Sequence, residues 1–257
     1  MTSPVITADD FGLCAPIDDA ICRLHDHGVV GRTSLVVNTP FFESSLRALR
    51  ARPALEVAIH LNLTDGRPVL APADVPTLVD GRGEFGGGRH YGVVARIASG
   101  RVSRDDVLRE WRAQIVKARH AGVPIRELNS HGHLHLLPHL HGIVLALRRE
   151  FDIPQVRLVH SLEGPRGVIL QACSRLLRRA LRRDGVEATW PDRTLGLRHP
   201  GAVDPAIALH ALADDGGAQV ELIVHPSTGR NPYHDRWGYH GEDVTNWLIG
   251  AAARHGR

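Results

Sequence analysis

The chain of 257 residues is poor in lysine, methionine, cysteine and aromatic side chains. Lys117 is the single lysine among 31 basic residues, so the formal charge of +3 is carried by arginine and reads as a coding habit, not as a binding signal. Three cysteines, Cys14, Cys22 and Cys173, are an odd number without a CxxC pair. This excludes a disulfide scaffold and predicts reduced thiols in a cytoplasmic protein. No apolar run approaches the roughly 18 to 20 residues of a membrane helix, and MTSPVITADDFG lacks the basic and apolar regions of an export signal, so neither a membrane span nor secretion is expected. GxSxG, GxxxxGK[ST], GxGxxG and HExxH are all missing, which removes a serine nucleophile elbow, a phosphate cradle, a dinucleotide site and a zincin helix. With 43% hydrophobic and 23% charged residues, disorder is excluded as well.

What is present is the rhythm of βα units. Strands are expected at Val5–Thr7, Ser34–Asn38, Val57–Asn62, Glu127–Ser130, Val156–Val159 and Val220–Val224. Helical patterns run Ile17 to His27, Phe41 to Arg50, Arg104 to His120, Leu140 to Phe151, Val168 to Arg183, Pro205 to Ala213, and from about Asp243 to the end. Gly66 to Gly100 is rich in Gly and Pro and reads as a long excursion over the mouth of the fold. Thr189–Ala202 and Ser227–Glu242 read as irregular. No linker or repeat divides the chain, so one domain over 1–257 is expected. The basic run Arg175 to Arg183, RLLRRALRR, has helical spacing; a solvated helix face is the plain reading, and a nucleic-acid or acidic-lipid patch the other.

The chemistry lies where strands end. Four of them finish in Asp9-Asp10, His60, His131-Gly-His133 and His225-Pro226, and in parallel α/β folds such ends converge on the active site. Asp9-Asp10 also suits a helix cap, but the helical pattern begins several residues later. His131, His133 and His135 alternate, which on an extended segment directs all three rings to one face. One carboxylate with two imidazoles, leaving positions open for water and substrate, suits a catalytic divalent metal, with a spare carboxylate and a spare histidine for proton transfer.

These residues carry a resemblance. Thr7-Ala-Asp-Asp-Phe-Gly-Leu13 resembles the opening N-A-D-D-F-G-L of the YdjC-like carbohydrate deacetylases, the chitooligosaccharide deacetylase family. Gly31–Asn38, Ala58–Pro68, Leu128–His135, Val156-Arg157 and Glu221–Pro226 are similar to that family's later elements, in order, over about residues 4 to 230. The resemblance implies a distorted TIM-like (β/α) barrel that removes an acetyl group from an N-acetylated sugar or glycoconjugate with one divalent ion, Mg2+ or Zn2+. It implies Asp10, His60 and His131 as metal ligands, Asp9 as general base and His225 as general acid, with Arg157, Asn129 and His133 binding substrate or orienting these groups. Asn129 stands where the family has Asp and resembles its hopanoid-biosynthesis-associated branch; Thr7 stands where Asn is usual. Tyr233, Trp237 and Tyr239 suit sugar stacking or anchoring of their loop. No nucleic-acid partner is expected, and self-association is left open. Two other readings stand beside the deacetylase: a metal-dependent hydrolase of a phosphoester or another amide, and a catalytically silent sugar- or metal-binding homologue.

Overall fold

The computed structural model describes residues 5–86, 90–186, 191–197 and 218–254. Seven strands, β1 (Val5–Phe11), β2 (Arg32–Leu35), β3 (Glu56–Leu61), β4 (Ile125–Ser130), β5 (Gln155–Val156), β6 (Arg193–Leu195) and β7 (Val220–Val224), form one sheet in the order β5-β4-β3-β2-β1-β7-β6. Every pairing is parallel. Between and after them lie α1 (Ala15–Asp26), α2 (Phe42–Arg50), α3 (His90–Ala98), α4 (Arg104–His120), α5 (His141–Glu150), α6 (Gly164–Arg183), α7 (Pro232–Trp237) and α8 (Gly241–Arg254). A strand such as Val220-Glu-Leu-Ile-Val224 is buried along its whole length, as parallel strands covered on both faces must be.

The sheet is curled into a distorted TIM-like barrel. The guanidinium of Arg157 touches Asp9 on β1, Ser34 on β2, Glu127 on β4 and Glu221 on β7, side chains that a flat sheet would hold strands apart. The edges β5 and β6 share no ladder among the described residues. They are brought together beyond the end of β5, where Thr194 N–H donates to the His160 carbonyl at 2.7 Å and His160 N–H to Thr194 Oγ1 at 2.9 Å.

A strand lies at each of the six expected places, though β5 is only Gln155–Val156 against the expected Val156–Val159 and β2 begins and ends earlier than the expected Ser34–Asn38; α4 has the expected bounds. β6 falls inside the stretch read as irregular; three residues are too few to display a period. The Pro205–Ala213 helix lies outside the described residues. The excursion from Gly66 is a packed flap carrying α3: Val75, Leu78 and Phe85 enter the core, and Glu110 on α4 accepts the Val69 and Leu70 N–H groups at 2.9 and 3.1 Å.

Local geometry at the end of β1 matters most for the site. The register against β2 shifts between Ala8 and Phe11, and Asp10 adopts a left-handed φ of 76°. A strand directs consecutive side chains to opposite faces, and this bulge lets both Asp9 and Asp10 enter the barrel. Gly12 follows with φ +92°, where a Cβ would stand 2.4 Å from the Val36 carbonyl oxygen. Its N–H donates to Asp18 Oδ1 on α1 at 2.6 Å, tying the strand end to the helix it feeds.

Candidate active site

Asp10, His60 and His131 lie together, each buried, with one candidate ligand atom apiece within 4.8 Å of the others. The hydrogen bonds around His60 fix its polarity. Its Nδ1 is 2.6 Å from Asn129 Oδ1, and Asn129 Nδ2 is 2.9 Å from both Glu127 Oε1 and Ser34 Oγ. A carboxylate only accepts, so the Asn129 amide nitrogen faces Glu127 and its oxygen accepts from His60 Nδ1–H. His60 Nε2 faces Asp10 Oδ1 at 3.3 Å, where in the neutral ring it offers a lone pair. Asp10 Oδ2 is buried without a hydrogen-bond partner among the described residues. A carboxylate with two imidazoles in a dry pocket is a donor set that can hold a divalent metal.

His131 Nδ1 is 2.7 Å from Asp10 Oδ1, and its Nε2 is 3.7 Å from Asp65 Oδ2. Burial disfavours the charged imidazole, yet the two carboxylates more than offset this and raise its pKa. Burial also opposes ionisation of Asp10, and His131 reverses it, holding the carboxyl well below its usual range.

Asp9 is 2% exposed and firmly held. Ser34 Oγ donates to Oδ1 at 2.6 Å, and Arg157 Nη1 to Oδ1 at 3.0 Å and Oδ2 at 2.8 Å. Burial pushes this carboxyl up, but the charge of Arg157 overrides it and keeps Asp9 ionised. Arg157 is itself clamped, with Nε 3.2 Å from Glu127 Oε1 and 3.7 Å from Glu221 Oε1. His225 closes the other side, its Nε2 3.9 Å from Asp10 Oδ2.

The alternating histidines do not lie on an extended segment. Residues His131–Leu136 form a 3-10 turn with left-handed Gly132 and His133, at φ 64° and 60°. The three rings therefore diverge. His131 joins Asp10, whereas His135 Nδ1 is 2.9 Å from Ser130 Oγ and its Nε2 is 3.0 Å from the Arg157 carbonyl oxygen. Burial depresses the His135 pKa to about 3, so it is a neutral brace under the site. His133 is buried between these groups and Arg166, and burial lowers its pKa too.

Several site residues escaped the sequence reading. Asp65, after β3, takes the Arg236 guanidinium of α7 at 3.1 Å. That ion pair helps hold Trp237 with its ring 4.8 Å from His131, and Tyr239 packs edge-on at 5.0 Å from His225. The aromatics of this stretch thus cover the metal-ligand candidates. Ser34, Glu127 and Glu221 are strand residues; only their period-two placement, pointing into the barrel, could have marked them.

The sequence profile of the YdjC-like proteins matches residues 5–253. The chain belongs to the YdjC-like family. Among the relatives of this YdjC-like chain, a carbohydrate deacetylase of Oceanobacillus iheyensis is 35% identical over 158 residues, 62% of this chain and 65% of the relative. A carbohydrate deacetylase of Brevibacillus brevis is 36% identical over 58% of this chain and 57% of its own. A chitooligosaccharide deacetylase of Yersinia enterocolitica is 30% identical over 65% and 64%. The matched part spans less than two thirds of each of these relatives. The crystal structure of a proposed cellobiose-phosphate cleavage protein of Enterococcus faecalis V583 superposes with a TM-score of 0.72 over 98% of this chain and 94% of that one, at 24% identity, and shows the same fold.

Proposed function

We propose that this YdjC-like chain is a metal-dependent carbohydrate N-deacetylase, hydrolysing the acetamide of an amino-sugar-containing substrate. The observation that carries this reading is the buried Asp10, His60 and His131 group with ionised Asp9 on one side and His225 on the other. A divalent ion held by those three residues supplies polarisation of the acetamide carbonyl and acidification of a water. Asp9 accepts the proton of the attacking water. Its Oδ1 already takes two hydrogen bonds and its Oδ2 one, so Oδ2 retains a lone pair for that proton. Ser34 and Arg157 fix the carboxylate's direction. The proton that the departing amine needs comes from protonated His225 or from Asp9, which gained one from the water. Asn129 orients His60, and His133 lines the base of the site beside Arg157. Trp237 and Tyr239 offer ring faces to the sugar. The free cysteines support a cytoplasmic enzyme. No helix among the described residues is long and apolar enough to cross a membrane.

The test is acetate release from a panel of N-acetylated sugars and glycoconjugates, run beside phosphoester substrates. Asp10→Ala is expected to lose both bound metal and acetate release. Asp9→Asn is expected to keep the metal while the rate falls by about 10²- to 10⁴-fold. The reading fails if metal-loaded protein frees no acetate from any conjugate, or if Asp9→Asn leaves hydrolysis unchanged.

A further inference from the structure

Among the described residues, six large apolar side chains are exposed, and four of them cluster on one element: Leu162 at 75%, just before α6, and Val168 at 50%, Ile169 at 62% and Leu176 at 45% on it. Ile169 and Leu176 are seven residues apart and lie in a stripe on one side of the helix, with Leu162 in the segment that leads into it. The opposite side, with Gly167, Gln171, Ser174, Leu177 and Leu181, is already buried against the barrel. Among the described residues, the stripe is therefore an apolar surface that no other element covers.

Charge accompanies it. From Gly164 to Arg183 there are six arginines and no acidic residue, and Arg175, Arg179, Arg182 and Arg183 are all exposed beside the stripe. Apolar side chains dominate the first half of α6 and arginines the second. The helix also adjoins the catalytic mouth: Arg166, in its first turns, hydrogen-bonds Tyr239, whose ring packs against His225.

From this we infer that the outer face of α6 docks on an anionic phospholipid bilayer. Apolar side chains enter the headgroup boundary while the flanking arginines meet lipid phosphates, the arrangement of helices that lie in the plane of a membrane surface. The other occupants fit less well. A second copy, related by a two-fold axis, would bury six arginines of α6 against a copy of the same helix, which has no acidic side chain to pair with them. Nucleic acid would leave Leu162 and Ile169 in water and find no aromatic ring on α6 on which to stack a base. Docked in this way, the first turns of α6, which adjoin the mouth through Arg166 and Tyr239, lie at the lipid surface.

The whole chain is sedimented with vesicles of phosphatidylcholine alone and of phosphatidylcholine mixed with phosphatidylglycerol, at low and high salt. Binding is expected only to the mixed vesicles, and weaker in salt. Arg179→Ala with Arg183→Ala is expected to weaken it by roughly fivefold per arginine. Ile169→Glu with Leu176→Glu is expected to weaken it by about tenfold or more, since each change removes apolar contact and adds repulsion. Both pairs are on the exposed face, so thermal melting and hydrolysis of a soluble substrate are expected to stay as in the parent. The inference is overturned if the chain ignores mixed vesicles, if both variants bind as the parent does, or if the face proves to join two copies, seen as a dimer in sedimentation velocity that Ile169→Glu dissolves. Duplex RNA or DNA binding that survives Ile169→Glu while vesicle binding is absent overturns it equally.

Discussion

Asn129 carries no charge, yet it connects both halves of the site. Its oxygen accepts from His60, a metal-ligand candidate, and its nitrogen donates to Ser34, which in turn donates to Asp9. An Asp at this position would stand against Glu127, 2.9 Å away, so the amide is the group that this neighbour tolerates. Partners that orient a ligating histidine typically change metal affinity by about 10- to 100-fold when removed. Asn129→Ala is expected to lose affinity for Zn2+ in that range, read by competition with a chelator. Loss of the orienting bond predicts this with the apo-protein melting close to the parent. An unchanged affinity would mean that packing alone holds His60.

At the scale of elements, the junction of β1 and α1 stores an unfavourable charge. Asp18 accepts from Gly12 N–H at 2.6 Å and from Ser45 Oγ at 2.5 Å, but burial dominates and pushes its pKa up from 3.8 to about 6. A carboxyl whose folded pKa is raised stabilises the fold while protonated, and that contribution is lost as pH rises from about 4 through 6. The shift corresponds to roughly 3 kcal/mol. Asp18→Asn keeps the shape without the ionisation, so its stability relative to the parent is expected to rise across pH 4 to 6 and level off above, as measured by urea unfolding. A difference that is flat with pH would refute this. The same junction shows what the sequence displays and what it hides. Strands ending in Asp9-Asp10, His60, His131 and His225 were legible because apolar runs stop at titratable residues. The bulge at Asp10 was not, since strict alternation would have sent one of the two carboxylates outward. Nor was the turn at His131–Leu136: Gly132 permits a left-handed backbone, but His133 adopts it too, and the hydrogen bonds that pin the turn are those of His135, to Ser130 and to the distant Arg157 carbonyl. The aromatic cover was visible only as three rings in a loop; the ion pair of Arg236 with Asp65 joins segments about 170 residues apart, and no local pattern encodes it.

The whole molecule is a barrel with one seam. Six interfaces around the sheet are parallel ladders, whereas among the described residues β5 and β6 share none and the chain beyond β5 is tied to β6 by two bonds between His160 and Thr194. The seam therefore depends on a side chain: Thr194 Oγ1 takes the His160 N–H, and Val159 N–H beside it is taken by Ser174 Oγ on α6 at 3.0 Å. Arg157, three residues before His160, draws its carboxylates from three strands, so closure of this seam also sets the position of Asp9. Thr194→Val preserves volume and removes only the acceptor. An unsatisfied buried N–H costs about 1–3 kcal/mol, which for a chain of this size lowers Tm by roughly 2 to 10 °C. Amide exchange is expected to accelerate at residues 157–160 and in β6, while β2 and β3, held by ladders on both sides, keep their protection. Because Asp9 hangs on Arg157, the variant should also lose kcat for acetate release with its metal retained. Uniform acceleration of exchange across the sheet would instead show that the seam is no weaker than the ladders and that the barrel opens as a single unit.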